Sequence, residues 1–120
     1  MAGIYIHVPF CEKRCSYCSF YSTIHGKKER DAFVRSLVAE MQHRKTDEII
    51  HTIYFGGGTP SQLDAEELEQ CFEALHRIFR ISPEAEFTFE ANPDDITAEK
   101  AQHLAQLGIN RVSLGVQSFN

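Results

Sequence analysis

The chain has 120 residues, 42% of them hydrophobic and 24% charged, a balance that suits one globular unit with its own core. Twelve basic against 17 acidic residues leave a net charge of −5, and the pairs Lys27-Lys28 and Arg44-Lys45 are too short to form a nucleic-acid or anionic-membrane surface. No apolar run approaches the roughly 20 residues of a membrane span, so neither nucleic acid nor a membrane is expected among the partners.

The predicted elements alternate along the chain. Ile4–Val8 is a short β-rich run. Glu29–Arg44 carries Phe33, Val34, Leu37, Val38 and Met41 as a helical stripe. Ile49–Phe55 reads as a second strand, almost continuously apolar in its second half, the pattern of a strand covered on both faces. Asp64–Arg80 is a second helix with Leu68, Cys71, Phe72, Leu75, Ile78 and Phe79 on one face. Asp64 and Glu67 supply its N-terminal cap signal. Glu86–Glu90 is a third strand. Thr97–Leu107 is a third helix, opened by Thr97 and stopped by Gly108, and Arg111–Val116 is a fourth strand.

The order βαβαβαβ predicts an α/β fold with parallel strands and helical crossovers, either an open wound sheet or a barrel. Such folds gather their chemistry at the C-terminal strand ends. The unusual residues fall there: the cysteines after strand one, Gly56–Ser61 after strand two, Glu90-Ala91-Asn92-Pro93 at the end of strand three, and Gln117–Asn120 after strand four. A fourth strand followed by no covering helix would leave one face and one edge bare. The expectation is therefore a partial (β/α) barrel of the TIM type, with residues 1–120 as the N-terminal half and the remaining barrel and a C-terminal domain lying beyond it.

Cys11, Cys15 and Cys18 sit within eight residues. Three thiolates at this spacing can hold three corners of a cubane iron–sulfur cluster and leave the fourth iron open to a small molecule. A disulfide framework fits poorly, because Cys71 stands alone elsewhere. A closed zinc site would need His7, His25 or Cys71 as its fourth ligand, none at the usual paired spacing. Incidental thiols are the third reading. Free cysteines without a targeting segment point to a reducing cytoplasm.

Gly56–Gly58 allows backbone N–H groups to approach a ligand, although a tight strand-to-helix turn would explain it too. It is no phosphate loop, since Thr59-Pro60 replaces the Lys-Ser/Thr ending. Glu90, at a strand end, could accept two hydroxyl hydrogen bonds from a ribose diol, or pair with Arg111 on the next strand. Gln117 could contact a ligand or tie loops together. His7 could face a cluster or be a satisfied strand histidine. Cys71, on an apolar helix stripe, reads as a buried inert thiol.

Cys-x3-Cys-x2-Cys with Tyr17 before the third cysteine, followed by Gly56-Gly57-Gly58-Thr59-Pro60-Ser61, resembles the radical S-adenosylmethionine superfamily. Within it, Tyr5-Ile6-His7-Val8-Pro9-Phe10-Cys11, Glu90-Ala91-Asn92-Pro93 and Gly115-Val116-Gln117-Ser118-Phe119 resemble the oxygen-independent coproporphyrinogen III oxidase group. The resemblance implies that Cys11, Cys15 and Cys18 ligate a [4Fe–4S] cluster whose open iron is chelated by S-adenosylmethionine. It implies that Tyr5, the backbone of Tyr17, Gly57 and Glu90 hold that molecule. Gly58, Thr59 and Gln117 match positions that hold a second S-adenosylmethionine in the oxidase. In that group, reductive cleavage yields a 5′-deoxyadenosyl radical that abstracts hydrogen from a propionate, and decarboxylation to a vinyl group follows.

One departure bears on the branch. The oxidase typically carries a further cysteine two residues after the third, where this chain has Phe20. Phe20, Thr59-Pro60-Ser61 and Glu90-Ala91-Asn92-Pro93 resemble instead the haem-chaperone branch, although Ser19 departs from the aspartate common there. The resemblance then implies haem as a cofactor bound outside these residues, an electron-donor protein and a haem acceptor protein. The alternatives are the oxidase itself, an enzyme acting on a porphyrinogen, and a zinc-stabilised binding module.

Overall fold

A computed structural model of the chain describes residues 2–8, 27–57, 60, 63–91 and 96–114. Four strands, β1 (Ala2–Val8), β2 (Ile49–Gly57), β3 (Arg80–Ala91) and β4 (Arg111–Leu114), form one sheet in the order β1-β2-β3-β4. All three pairings are parallel. Helices α1 (Lys27–His43), α2 (Ala65–Ile78) and α3 (Ala98–Leu107) separate the strands in sequence. This is the α/β partial barrel expected from the alternation.

The core lies between the helices and one face of the sheet. Ile6 and Val8 of β1, Ile53 and Phe55 of β2, and Phe87, Phe89 and Ala91 of β3 are buried at period two, as strand geometry requires of a covered face. They share a single cluster with Val34 and Met41 of α1, Leu68, Cys71, Phe72 and Leu75 of α2, and Leu104 of α3. Phe72 of α2 stacks on Phe55 at 5.2 Å and on Phe87 at 5.6 Å, so one aromatic side chain ties the helix to two strands. The alternate residues, Tyr5 and His7, Tyr54, and Glu90, therefore stand on the opposite face. That corrects the expectation that β2 is covered on both sides: the run Ile53-Tyr54-Phe55 is apolar in type, yet only Ile53 and Phe55 enter the core.

Helix ends follow their sequence signals. Asp64 caps α2 by accepting from the Glu67 N–H at 2.8 Å, and the Glu67 carboxylate returns a bond from the Asp64 N–H at 2.8 Å. Thr97 caps α3, and Gly108 closes it in the left-handed conformation with φ 101°.

Several boundaries differ from the sequence reading: β1 starts at Ala2, α1 spans Lys27–His43, β2 runs on to Gly57, and the largest change lies between α2 and β3. Helix α2 ends at Ile78 rather than Arg80; Phe79 is its extended C-cap, and Arg80 already pairs with Ile49. Strand β3 is twelve residues long because Arg80 and Ile81 pair with Ile49 and Ile50 before an irregularity. Pairing resumes at Thr52 with Glu86, so Ser82–Ala85 on β3 lie opposite His51 alone. Pro83, which has no N–H to donate to a ladder, falls within that irregular stretch. Asn110 then sets up β4, accepting from the Phe87 N–H at 3.0 Å and donating to the Ala85 carbonyl at 3.0 Å.

Candidate functional site

The open face of the sheet carries a polar and aromatic corner near the C-terminal strand ends, centred on Glu90. Phe55 pairs with Phe89, which sets Gly56 and Gly57 alongside the end of β3. The Gly57 N–H donates to Glu90 Oε1 at 3.1 Å, and the Tyr54 hydroxyl donates to Oε2 at 2.5 Å. Both carboxylate oxygens thus have a donor from β2, and the side chain is held in one orientation.

The glycines are required by what surrounds them. A Cβ on Gly56 would stand 2.7 Å from Glu90 Oε1 and 2.7 Å from Tyr54 Cε1. Gly57 has φ 101°, a region that disfavours a side chain, and a Cβ there would run into the His7 ring. These two positions explain why β2 extends through Gly57 instead of stopping at Phe55: Gly56 and Gly57 still pair with His7 and Val8.

Two tyrosines floor the corner. Tyr5 pairs with Tyr54 across β1 and β2, and their rings stack at 5.6 Å and 17°. Tyr5 is 58% exposed and presents its ring outward, with His7 6.2 Å away. The hydrogen bond to Glu90 raises the Tyr54 pKa above the ordinary phenol value, helped by partial burial and by the Glu90 charge; a bond with the Ser113 side chain pulls the other way. Tyr54 therefore keeps its proton and remains a donor to the carboxylate.

Of the residues singled out by sequence, Tyr5, Gly57 and Glu90 come together here. Glu90 does not pair with Arg111, whose guanidinium lies 3.0 Å from Glu86 instead. That leaves the carboxylate bound by neutral donors, with lone pairs to offer a ligand. Cys11, Cys15, Tyr17, Cys18, Gly58, Thr59 and Gln117 lie outside the described residues, as does His25. Cys71 is fully buried in the core, and burial, with the Glu67 charge second, pushes its thiol up to about 12, a poor setting for a thiolate metal ligand. Among the described residues, no three His, Cys, Asp or Glu side chains converge on a metal position. Nor is any described helix long and apolar enough to cross a membrane. Tyr54 and Ser113 were not singled out by sequence; only their period-two parity with Tyr5 and Glu90 could have marked them.

A fixed carboxylate, a glycine strip without side chains and an exposed aromatic ring suit a ligand that offers a hydroxyl pair and a flat ring system, as a nucleoside does. The corner lies at the C-terminal strand ends of an α/β sheet, the place where such folds gather their ligand sites. The profile of the radical SAM superfamily matches residues 5–120, and the chain belongs to that superfamily. Membership implies a [4Fe–4S] cluster and S-adenosylmethionine, and the Glu90 corner is chemically compatible with the nucleoside half of the latter.

The chain is 42% identical over 116 residues to the haem chaperone HemW of Lactococcus lactis, covering 97% of this chain and 30% of that protein. It is 41% identical over 123 residues to the haem chaperone HemW of Bacillus subtilis, covering 99% of this chain and 32% of that one. Its fold superposes on coproporphyrinogen III oxidase (HemN) from Escherichia coli, a radical SAM enzyme, with a TM-score of 0.84 at 29% identity, over 99% of this chain and 28% of that one. The chain thus spans about a third of the length of the curated relatives it matches.

Proposed function

We propose that residues 1–120 are the N-terminal part of a radical S-adenosylmethionine core in a protein of haem metabolism, acting as a haem chaperone that binds haem and passes it to an acceptor protein. The observation that carries this reading is the identity above 40%, across nearly the whole chain, to relatives named as haem chaperones. Phe20 agrees with it, since a phenyl ring offers bulk and no sulfur where the oxidase typically has a further cysteine.

In this reading Cys11, Cys15 and Cys18 hold the cluster, and Tyr5, the Tyr17 backbone, Gly57 and Glu90 hold S-adenosylmethionine. Gly58, Thr59 and Gln117 match positions that hold a second S-adenosylmethionine in the oxidase. When bound, the cluster supplies one electron for cleavage of the sulfonium carbon–sulfur bond. The chain's own part is to bind and orient. The Glu90 carboxylate accepts from the ribose hydroxyls, the Gly56-Gly57 backbone admits the ligand to the strand end, and the Tyr5 ring covers an apolar side. The other partners are haem, an electron-donor protein and the haem acceptor, in the cytoplasm.

The oxidase reading is favoured by one observation, the 0.84 superposition on HemN. The two readings separate in an anaerobic assay of the protein carrying this chain. Haemin is added in one arm; coproporphyrinogen III, S-adenosylmethionine and a reductant are added in the other. A haem absorption band with no vinyl product is expected. Accumulation of protoporphyrinogen over many turnovers would overturn the chaperone reading.

A further inference from the structure

The bracket around Glu90 reaches across all four strands. Tyr5 on β1 stacks on Tyr54 of β2; Tyr54 donates its hydroxyl to Glu90 of β3; and Ser113 is the register partner of Glu90 on β4. Each member faces the open side of the sheet. The arrangement is more than core packing needs, because none of these four side chains belongs to the buried cluster.

From this geometry we infer that Tyr54 is a positioning residue for Glu90: its hydroxyl fixes the carboxylate to receive the vicinal diol of a ribonucleoside, and so makes the site selective for ribose over deoxyribose ligands. The inference rests on the proposed role of Glu90 toward S-adenosylmethionine. The physical reason is rotational. A glutamate has three side-chain torsions, and the single bond from Gly57 leaves Oε2 free to swing. The Tyr54 hydroxyl at 2.5 Å removes that freedom before a ligand arrives. Tyr54 is itself held by the stacked ring of Tyr5. The raised phenol pKa follows from the same contact and keeps the donor protonated.

The test is binding, by calorimetry under anaerobic conditions, to the cluster-loaded protein carrying this chain. S-adenosylmethionine is compared with its 2′-deoxy and 3′-deoxy analogues. The variants are Tyr54→Phe, Glu90→Ala and the double variant. Tyr54→Phe keeps the ring that stacks on Tyr5 and loses only the hydroxyl. It is expected to weaken S-adenosylmethionine binding by roughly threefold to tenfold, the range for one lost hydrogen bond. It should also narrow the preference for the ribose ligand over both analogues, and it should have no further effect in the Glu90→Ala background. The native protein's preference for ribose needs no variant to measure, so a poorly folded variant does not end the test. If native protein binds ribose and deoxyribose ligands alike, the inference is overturned. If Glu90→Ala weakens binding and Tyr54→Phe does not, the positioning role fails while the Glu90 reading stands. If Glu90→Ala has no effect, that reading itself fails, and this inference with it. An equal loss from Tyr54→Phe with and without Glu90 would mean that Tyr54 meets the ligand directly, which also overturns the positioning role.

Discussion

Replacing Glu67 by alanine should destabilise the protein far more than its place in a helix cap suggests. The Glu67 side chain is fully buried, yet it receives the Asp64 N–H at 2.8 Å and Arg30 Nε at 3.0 Å on Oε1, with a second approach to Oε2 at 3.2 Å. Lys27, more than half exposed, stands 3.7 Å from Oε2 and adds little through screened solvent. Removing one partner of a buried ion pair costs about 3–5 kcal/mol, chiefly because the other charge is left stranded. Arg30 retains 19% exposure and lies 4.0 Å from Asp64, which places the cost near the bottom of that range. Losing the acceptor for the Asp64 N–H adds about 1 kcal/mol. The sum is about 4 kcal/mol, or a fall of about 2 M in the urea midpoint at a slope of about 2 kcal/mol per molar. Glu67→Gln keeps an acceptor for the cap and loses the charge, so it should fall by about half as much. Urea titrations followed by circular dichroism measure both. If Glu67→Ala shifts the midpoint by less than about 0.5 M, the ion pair is not holding the starts of α1 and α2 together, and the reasoning fails.

Cys71 gives a prediction with a definite sign. Its thiol titrates at about 12 in the folded chain against an ordinary value of 9.0. Between about pH 9 and about pH 12 the unfolded chain gives up this proton and the folded chain keeps it, so stability falls as pH rises, by at most about 1.4 kcal/mol per unit. Cys71→Ala should flatten that alkaline limb in urea titrations at about pH 8 and about pH 10; an unchanged slope would show the thiol to be accessible. Gly56→Ala should push the Glu90 carboxylate and the Tyr54 ring aside and weaken S-adenosylmethionine binding about tenfold, with iron content unchanged. Calorimetry with iron analysis checks this, and native affinity in that variant would mean the corner yields without cost.

Much of the fold was legible because its signals are local. Asp64 with Glu67, and Thr97 with Gly108, mark helix ends within a few residues, and the structure has those caps. What sequence reading missed depends on distant pairing. Arg80 looks like the last residue of an apolar helix stripe, and only its ladder with Ile49 makes it a strand residue. Glu67 reads as a capping residue; Arg30, 37 positions away, makes it an ion-pair partner. Tyr54 sits inside an apolar run and looks like core, whereas its hydroxyl belongs to Glu90, 36 positions away. Of the site, Tyr5, Gly57 and Glu90 were found as motif residues, and strand parity brings them to one corner. The cysteines, Tyr17, Gly58, Thr59 and Gln117 rest on motif alone and lie outside the described residues.

The most direct test of the account is electron paramagnetic resonance of the anaerobically reconstituted and reduced protein, with iron and sulfide analysis, before and after adding S-adenosylmethionine. A [4Fe–4S] signal that changes on addition is predicted, because in the proposed site three thiolates would leave one iron open to the ligand proposed for the Glu90 corner. Cys71→Ser should give the same iron content and the same change. One tightly bound zinc with no iron, or a cluster signal indifferent to S-adenosylmethionine, would contradict the account.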